Sequence, residues 1–263
     1  MENFDMTRFC KAMKWTLLAN KKDLVKFAFI MTIIYMVIQI ALLINTGLFM
    51  HTPSQLAIYS TMGFCQSAFA FSCLYCLTAI FQNVKTKQER IAFFTMPFSM
   101  PEKYVSRLLY CCIVMPLASY LGLIAATATR LLIQLVFRHT ELYIGLVSPI
   151  NIVEMPFDMP VNAAILLAAM TAWWVSLFIL GGSFFRKQPL AMTLAAIFAF
   201  FILFGWPLGY LIGHLAQMVT IQNETLISLI ITLPFLLFTV FNLWYSYRLF
   251  KRMQVVQHKW FNV

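Results

Sequence analysis

Long apolar stretches alternate with short polar ones along most of this chain. Six of the stretches reach the length of about 20 residues that a helix needs to cross a bilayer. They cover residues of about 27–49, 57–81, 108–130, 161–185, 190–215 and 225–247. The pattern therefore predicts an all-α membrane protein with six transmembrane helices.

The composition agrees with this class. Hydrophobic residues make up 62% of the 263 positions and charged residues 11%, and the mean hydropathy is +0.81. Soluble domains of this size carry about 25% charged residues. No stretch has the polarity of a separate soluble domain, so residues 1–263 are predicted to form one transmembrane domain. The net charge of +10 lies at the ends of apolar stretches, so it indicates membrane topology and not nucleic-acid binding.

The positions of the basic residues predict the orientation. All but two of the 19 Lys and Arg residues precede the first span, follow the sixth, or lie between spans two and three or four and five. Because such residues concentrate on the cytoplasmic side, both termini are predicted to be cytoplasmic. The exceptions are Arg130 and Arg138. Arg130 lies near the outer end of the third span, where we expect its side chain to reach the outer interface.

The basic segment 1–26 has a helical pattern of its own. Apolar residues and Thr16 recur on one side and cations on the other, with Asp5 or Thr7 as the N-cap and Asn20 as the end. This predicts an amphipathic helix along the cytoplasmic surface of the bilayer. The two sides consist of Phe9, Met13, Thr16 and Leu17, and of Arg8, Lys11 and Lys14.

Residues 138–160, between spans three and four, include three prolines. We predict that they form a compact segment on the outer face.

The connection between spans two and three, 82–107, is more structured than a loop requires. Residues 86–94 predict a short helix that ends before Pro97, because a residue before proline disfavours helical backbone. Ser99 and Glu102 have the spacing of a capping box at the start of a second helix, with Pro101 in its first turn. An exposed Phe93–Phe94 pair among charges is expected to form a docking element for a cytoplasmic protein.

Two further patterns concern packing and chemistry. Gly205, Gly209 and Gly213 have a strict four-residue spacing, which predicts close helix packing, with a dimer seam or a gate as the alternatives. The predicted spans contain no Asp or Glu, so no catalytic residue is predicted. A metal site is not predicted either, because each of three histidines stands alone in its segment, without a two-ligand spacing. These histidines, all near predicted outer ends, are His51, His139 and His214.

The helical elbow, the amphipathic first helix and the six spans together resemble the permease subunit of an ABC type-2 exporter. Permease-like membrane proteins of the Bacteroidetes carry an LP-x-S-x-x-E-K element in this connection. Here it stands as Met96-Pro97-Phe98-Ser99-Met100-Pro101-Glu102-Lys103, with Met in place of Leu. The resemblance in architecture covers the whole chain, and the local motif covers about twenty residues.

The resemblance implies a non-catalytic subunit of a bacterial inner membrane. It implies a homodimer or heterodimer of permeases, bound to separate ATPase subunits that hold ATP and Mg²⁺, with no cofactor on this chain. Segment 1–26 becomes a connecting helix and segment 82–107 the coupling element. Its contact residues would be Lys87, Glu89, Arg90, Phe93 and Phe94, and its elbow would be set by Pro97, Ser99 and Glu102.

The resemblance has one departure, and two other classes stay open. Many such exporters have re-entrant helices between spans five and six, where residues 217–224 of this chain leave little room. One alternative is a scaffold or accessory protein that recruits a cytoplasmic partner through the same elbow. The other is an outer-face metal or haem protein built on the three histidines.

Overall fold

The computed structural model describes residues 5–46, 55–81, 87–136, 161–218 and 224–252. The regular elements among these residues are helices, without a strand. The helices are α1 (Met6–Ala19), α2 (Lys21–Thr46), α3 (Gln55–Thr78), α4 (Lys87–Phe94), α5 (Met100–Leu109), α6 (Met115–Val136), α7 (Val161–Phe184), α8 (Pro189–Met218) and α9 (Glu224–Arg252). A 3-10 turn, Ala79–Phe81, extends α3, and a π-helical segment, Tyr110–Val114, joins α5 to α6.

Four stretches within the described residues are long and apolar enough to cross a membrane. They overlap the first four predicted spans and lie at Lys21–Ala41, Gly63–Phe81, Met100–Ile133 and Val161–Phe184. The chain therefore has the helices of a membrane protein. The fifth and sixth predicted spans correspond to α8 and α9, which are helices of 30 and 29 residues; that they span a membrane stays a prediction.

The chain divides into two compact units, which are described separately. The first unit comprises Met1–Cys76 and Pro101–Glu154. In it α2 packs along α6, and Gly122 permits a close approach of the two helices. A Cβ atom at Gly122 would lie 2.7 Å from Thr32 Oγ1. The core of this unit is formed by Tyr35, Cys65, Phe69, Leu123 and Ala126.

A group of three hydroxyls joins α2, α3 and α6 inside this core. Tyr35 Oη lies 2.7 Å from Ser119 Oγ, and Ser119 Oγ lies 2.8 Å from Ser72 Oγ. Ser72 Oγ in turn donates to the carbonyl of Phe69 at 2.8 Å. The three hydroxyls can thus donate in series: Tyr35 to Ser119, Ser119 to Ser72, and Ser72 to the carbonyl of Phe69. Each hydroxyl then donates once, as buried polar groups require.

Arg130 belongs to the packed face of α6. It follows Ala126 and Thr127 by four and three residues on the helix, so it shares their orientation. Only 8% of the surface of Arg130 is exposed. Its side chain is therefore packed against protein, and its position relative to the outer interface stays a prediction. About one turn before Arg130 on the same face of α6, Thr127 Oγ1 accepts a hydrogen bond from Gln39 Nε2 of α2 at 3.3 Å.

The second unit comprises Leu77–Met100 and Met155–Val263. In it α7 packs along α9 and also contacts α8. Two buried polar pairs join α7 to α9: Asn242 Nδ2 donates to Ser176 Oγ at 3.0 Å, and the hydroxyls of Ser183 and Ser246 lie 2.5 Å apart. Inside apolar surroundings such pairs fix the register of two helices, because a shift would leave the polar groups unsatisfied.

Glycines permit close approach in this unit, but at positions that the sequence did not indicate. A Cβ atom at Gly182 of α7 would lie 2.5 Å from the carbonyl oxygen of Thr78 and 2.8 Å from its Cα. At Gly205 of α8, the described atom within 4 Å of such a Cβ is Phe201 Cδ1 of the same helix, at 3.8 Å. The surroundings of Gly209 and Gly213 lie outside the described residues. Close packing or a dimer seam along these three glycines stays a prediction.

Candidate functional site

The predicted helix, break and second helix are present between α3 and α6. Helix α4 runs from Lys87 to Phe94 and ends where Thr95 N–H and Oγ1 both donate to the Ile91 carbonyl, each at 2.9 Å. A tight turn follows, in which Phe98 N–H donates to the Met96 carbonyl at 2.8 Å. Pro97 is exposed within this turn, where its missing N–H leaves no hydrogen bond unmade.

Helix α5 begins at Met100, so Ser99 holds the position directly before it, as predicted. Ser99 and Glu102 are both buried, Glu102 completely. The elbow is therefore held by packed side chains on its α5 side. Burial of a carboxylate requires strong partners, and those of Glu102 include Asp5 and Arg8 at the start of α1.

The Phe93–Phe94 pair was expected to be exposed, and for Phe93 this expectation is wrong. Phe93 is 3% exposed, and Phe94 is half-buried. Both rings lie against Phe250 near the end of α9, with centroid distances of 6.1 Å and 6.4 Å. Phe81 stacks on the same ring at 5.3 Å. An isolated helix of eight residues is not stable in water, so α4 needs this apolar contact to persist.

The opposite side of α4 is the side that a partner can reach. Gln88, Ile91 and Ala92 are exposed, and Ile91 is 44% exposed. Lys87, Glu89 and Arg90 lie in α4, but their side chains are outside the described set. The large apolar side chain that the described part of this surface exposes is Ile91, in the place that the sequence assigned to Phe93. The sequence contains a signal for the opposite orientation of these two residues. Ile91 precedes Phe93 by two residues, so their side chains lie about 200° apart around the helix.

The first unit holds a second polar site, which fastens α1 to α5. The Asp5 backbone N–H donates to Glu102 Oε1 at 3.1 Å, and Arg8 Nη2 lies 3.6 Å from the same oxygen. Two turns along, Thr16 Oγ1 and Ser106 Oγ lie 3.5 Å apart. The predicted amphipathic helix is present, and its buried side faces a protein helix at these points.

The ends of α1 are capped as the sequence predicted. Asp5 Oδ1 accepts from the Thr7 backbone N–H at 3.0 Å and from Thr7 Oγ1 at 2.7 Å. These hydrogen bonds, that of the Thr7 hydroxyl foremost, hold the pKa of the exposed Asp5 carboxyl below its usual value. At the other end, Asn20 donates from its backbone and from Nδ2 to the Thr16 carbonyl, at 3.2 Å and 2.8 Å.

Sequence reasoning missed the contact between α1 and Glu102. It assigned Glu102 to the cap of its own helix, and a spacing pattern carries no signal for a partner 97 residues away. The three histidines that the sequence placed near outer ends of spans are not described: His51 and His139 lie outside the described residues, as does the side chain of His214. Among the described residues, no group of three or more His, Cys, Asp or Glu could hold a metal ion.

No family model matches this chain, and neither the curated proteins nor the solved structures contain a match to it.

Proposed function

We propose that this chain is the permease subunit of an ATP-driven exporter in the cytoplasmic membrane of a bacterium. It would span the membrane six times with both termini inside, pair with a second permease, and bind separate ATPase subunits. ATP and Mg²⁺ would be held by those subunits, and this chain would carry no catalytic group.

One observation carries the proposal: the buried side of α4 packs through Phe93 and Phe94 against the ring of Phe250 in α9. An eight-residue helix with an exposed Ile91 on one side is pinned on its other side to the end of a 29-residue helix. A force applied to the exposed side is therefore transmitted to α9, because packed aromatic rings resist compression. This arrangement suits an element that receives movement from a partner.

The resemblance noted in the sequence assigns the same segment to the ATPase contact. Because Phe93 is buried, another residue would make that contact. Ile91 would meet the partner together with Lys87, Glu89 and Arg90, whereas Phe93 and Phe94 would form the inner contact with α9. Protein interfaces commonly combine an apolar centre with a polar rim, and Ile91 would supply the centre.

Co-purification tests the docking step. The chain is co-expressed with the ATPase of a neighbouring gene that has a GxxxxGK[ST] loop, and the complex is isolated through a tag on the permease. We expect Ile91→Glu to remove the ATPase from the complex and Leu18→Glu to leave it bound. Leu18 is the matched control because it is an apolar residue of α1, 63% exposed. Failure of the unsubstituted chain to bring down any nucleotide-binding subunit would overturn the proposal.

Measurement of ATPase activity tests the transmission step. We expect Phe250→Ala to retain the ATPase subunit but to lose the effect of the permease on its rate of hydrolysis. Phe198→Ala, which removes a ring that is 68% exposed on α8, should keep that effect. If the ATPase subunit binds but its rate of hydrolysis is the same with the unsubstituted permease, with the Phe250→Ala variant and without a permease, the chain is better described as a scaffold.

A further inference from the structure

The outward side of α2 forms a continuous apolar stripe. Val25, Phe29, Ile33 and Val37 recur every four residues and are 60%, 67%, 44% and 60% exposed. They lie within the candidate span Lys21–Ala41. The opposite side of the helix carries Tyr35 and Gln39, which are packed inside the first unit. Since α2 belongs to a membrane-spanning stretch, this stripe meets the acyl chains of lipids.

Two lysines continue the stripe at one end. Lys26 precedes Phe29 by three residues, and Lys22 precedes Lys26 by four, so both share the orientation of the stripe. Both side chains are exposed. Asp23, the acid in the first turn of α2, precedes Lys26 by three residues and is therefore its neighbour on the helix surface. The two ammonium groups and this carboxylate together leave a net positive charge at this end of the stripe.

The dimensions of this surface match one lipid leaflet. From Lys26 to Val37 the helix advances 11 residues, which is about 16 Å at about 1.5 Å per residue. Half of the hydrocarbon core of a bilayer measures about 15 Å. A lipid whose phosphate lies beside Lys22 and Lys26 would therefore have its chains along Phe29, Ile33 and Val37.

We propose that Lys22 and Lys26, together with the stripe from Phe29 to Val37, bind an anionic phospholipid. The two ammonium groups contact the headgroup phosphate and any further negative charge, and the apolar side chains contact the acyl chains. The charge of the site selects anionic over zwitterionic headgroups. This inference requires that α2 lies in a membrane, and it does not depend on transport or on an ATPase.

Thermal unfolding of the purified full chain in a neutral detergent tests the proposal. Phosphatidylglycerol and phosphatidylcholine with identical chains are titrated separately, and the rise of the melting midpoint gives an apparent affinity for each. A lysine near an anionic surface contributes about fivefold in affinity. We expect a preference of about 25-fold for phosphatidylglycerol, and a preference close to one for Lys22→Gln/Lys26→Gln.

A matched variant separates this site from the total charge. Lys187→Gln/Lys251→Gln also removes two exposed lysines and should keep the preference of the unsubstituted chain. Equal loss in both variants, or no preference in the unsubstituted chain, would overturn the proposal. So would stabilisation by soluble glycerophosphate at the same concentration, because that result would indicate a free-anion site that needs no acyl chain.

Two measurements keep the test decisive if the double glutamine variant fails to fold. The preference of the unsubstituted chain should fall several-fold when salt is raised from about 0.05 M to about 0.5 M, because ions screen exposed charges. Lys22→Arg/Lys26→Arg should retain the preference, because both charges are kept. A preference that salt does not reduce contradicts the proposed headgroup contact.

Discussion

The backbone N–H of Asp5 donates a hydrogen bond to Oε1 of Glu102, and thereby ties the start of α1 to the first turn of α5. Glu102 has no exposed surface, whereas Asp5 lies at the surface. Arg8 adds a cation 3.6 Å from the same oxygen. One buried carboxylate thus holds the amphipathic helix in a fixed place on the first unit.

Replacement of Glu102 tests this contact. We expect Glu102→Ala to lower the free energy of unfolding by about 1–3 kcal/mol, because the acceptor is removed from a partly buried hydrogen bond. Glu102→Gln retains an acceptor oxygen and should cost less. Trypsin cleavage after Lys11 and Lys14 reports the release of α1 directly. Asp23→Asn, an exposed acid on α2, is the control, and equal effects of Glu102→Ala and Asp23→Asn would contradict the contact.

Acid should weaken the cap of α1. Hydrogen bonds from Thr7 hold the pKa of Asp5 below its usual value of 3.8. The ionised cap therefore contributes stability that is complete above pH 3.8 and is lost as the pH falls through the lower folded-state pKa. We expect the melting midpoint to fall in this range, and to fall less in Asp5→Asn, which does not titrate. Identical pH profiles for the two proteins would show that the cap is not involved.

The close approach at Gly182 predicts a sharp difference between two glycines. Gly182→Ala should destabilise the protein by about 1–3 kcal/mol or more, because the new methyl group meets the backbone of Thr78 and neither side can yield. Gly63→Ala is the matched control on α3, since nothing lies within 4 Å of a Cβ there. That change should be neutral or stabilising, by up to about 1 kcal/mol. Comparable midpoints for the two variants would refute the close approach.

Loss of the Tyr35 hydroxyl should loosen the contact of three helices. Tyr35→Phe keeps the ring but removes the donor of the chain that runs through Ser119 to Ser72. Hydrogen bonds between membrane helices contribute about 0.6 kcal/mol on average and up to about 1.7 kcal/mol, and we expect a loss within this range. Tyr245→Phe, at a residue that is 37% exposed, should change the midpoint little. A double variant with Ser119→Ala should lose less than the sum of the single losses, because the two groups share one hydrogen bond.

The sequence was sufficient for features that depend on neighbouring residues. The length of an apolar stretch determines whether a helix can cross a bilayer, so α2, α3, α6 and α7 were predicted in place. Proline geometry and short polar side chains likewise located the caps of α1 and the break between α4 and α5, because these effects act within a few residues.

Contacts between distant residues were decided by the tertiary structure alone. Phe93 and Ile91 are both apolar and lie two residues apart, and only the position of Phe250 determines which of them is buried. Arg130 is packed within the first unit because its side of α6 carries Ala126 and Thr127, and Glu102 is paired with α1 across 97 residues. Local spacing determines which residues share a side of a helix. Which side meets another helix depends on how the helices pack, and that is a property of the whole chain.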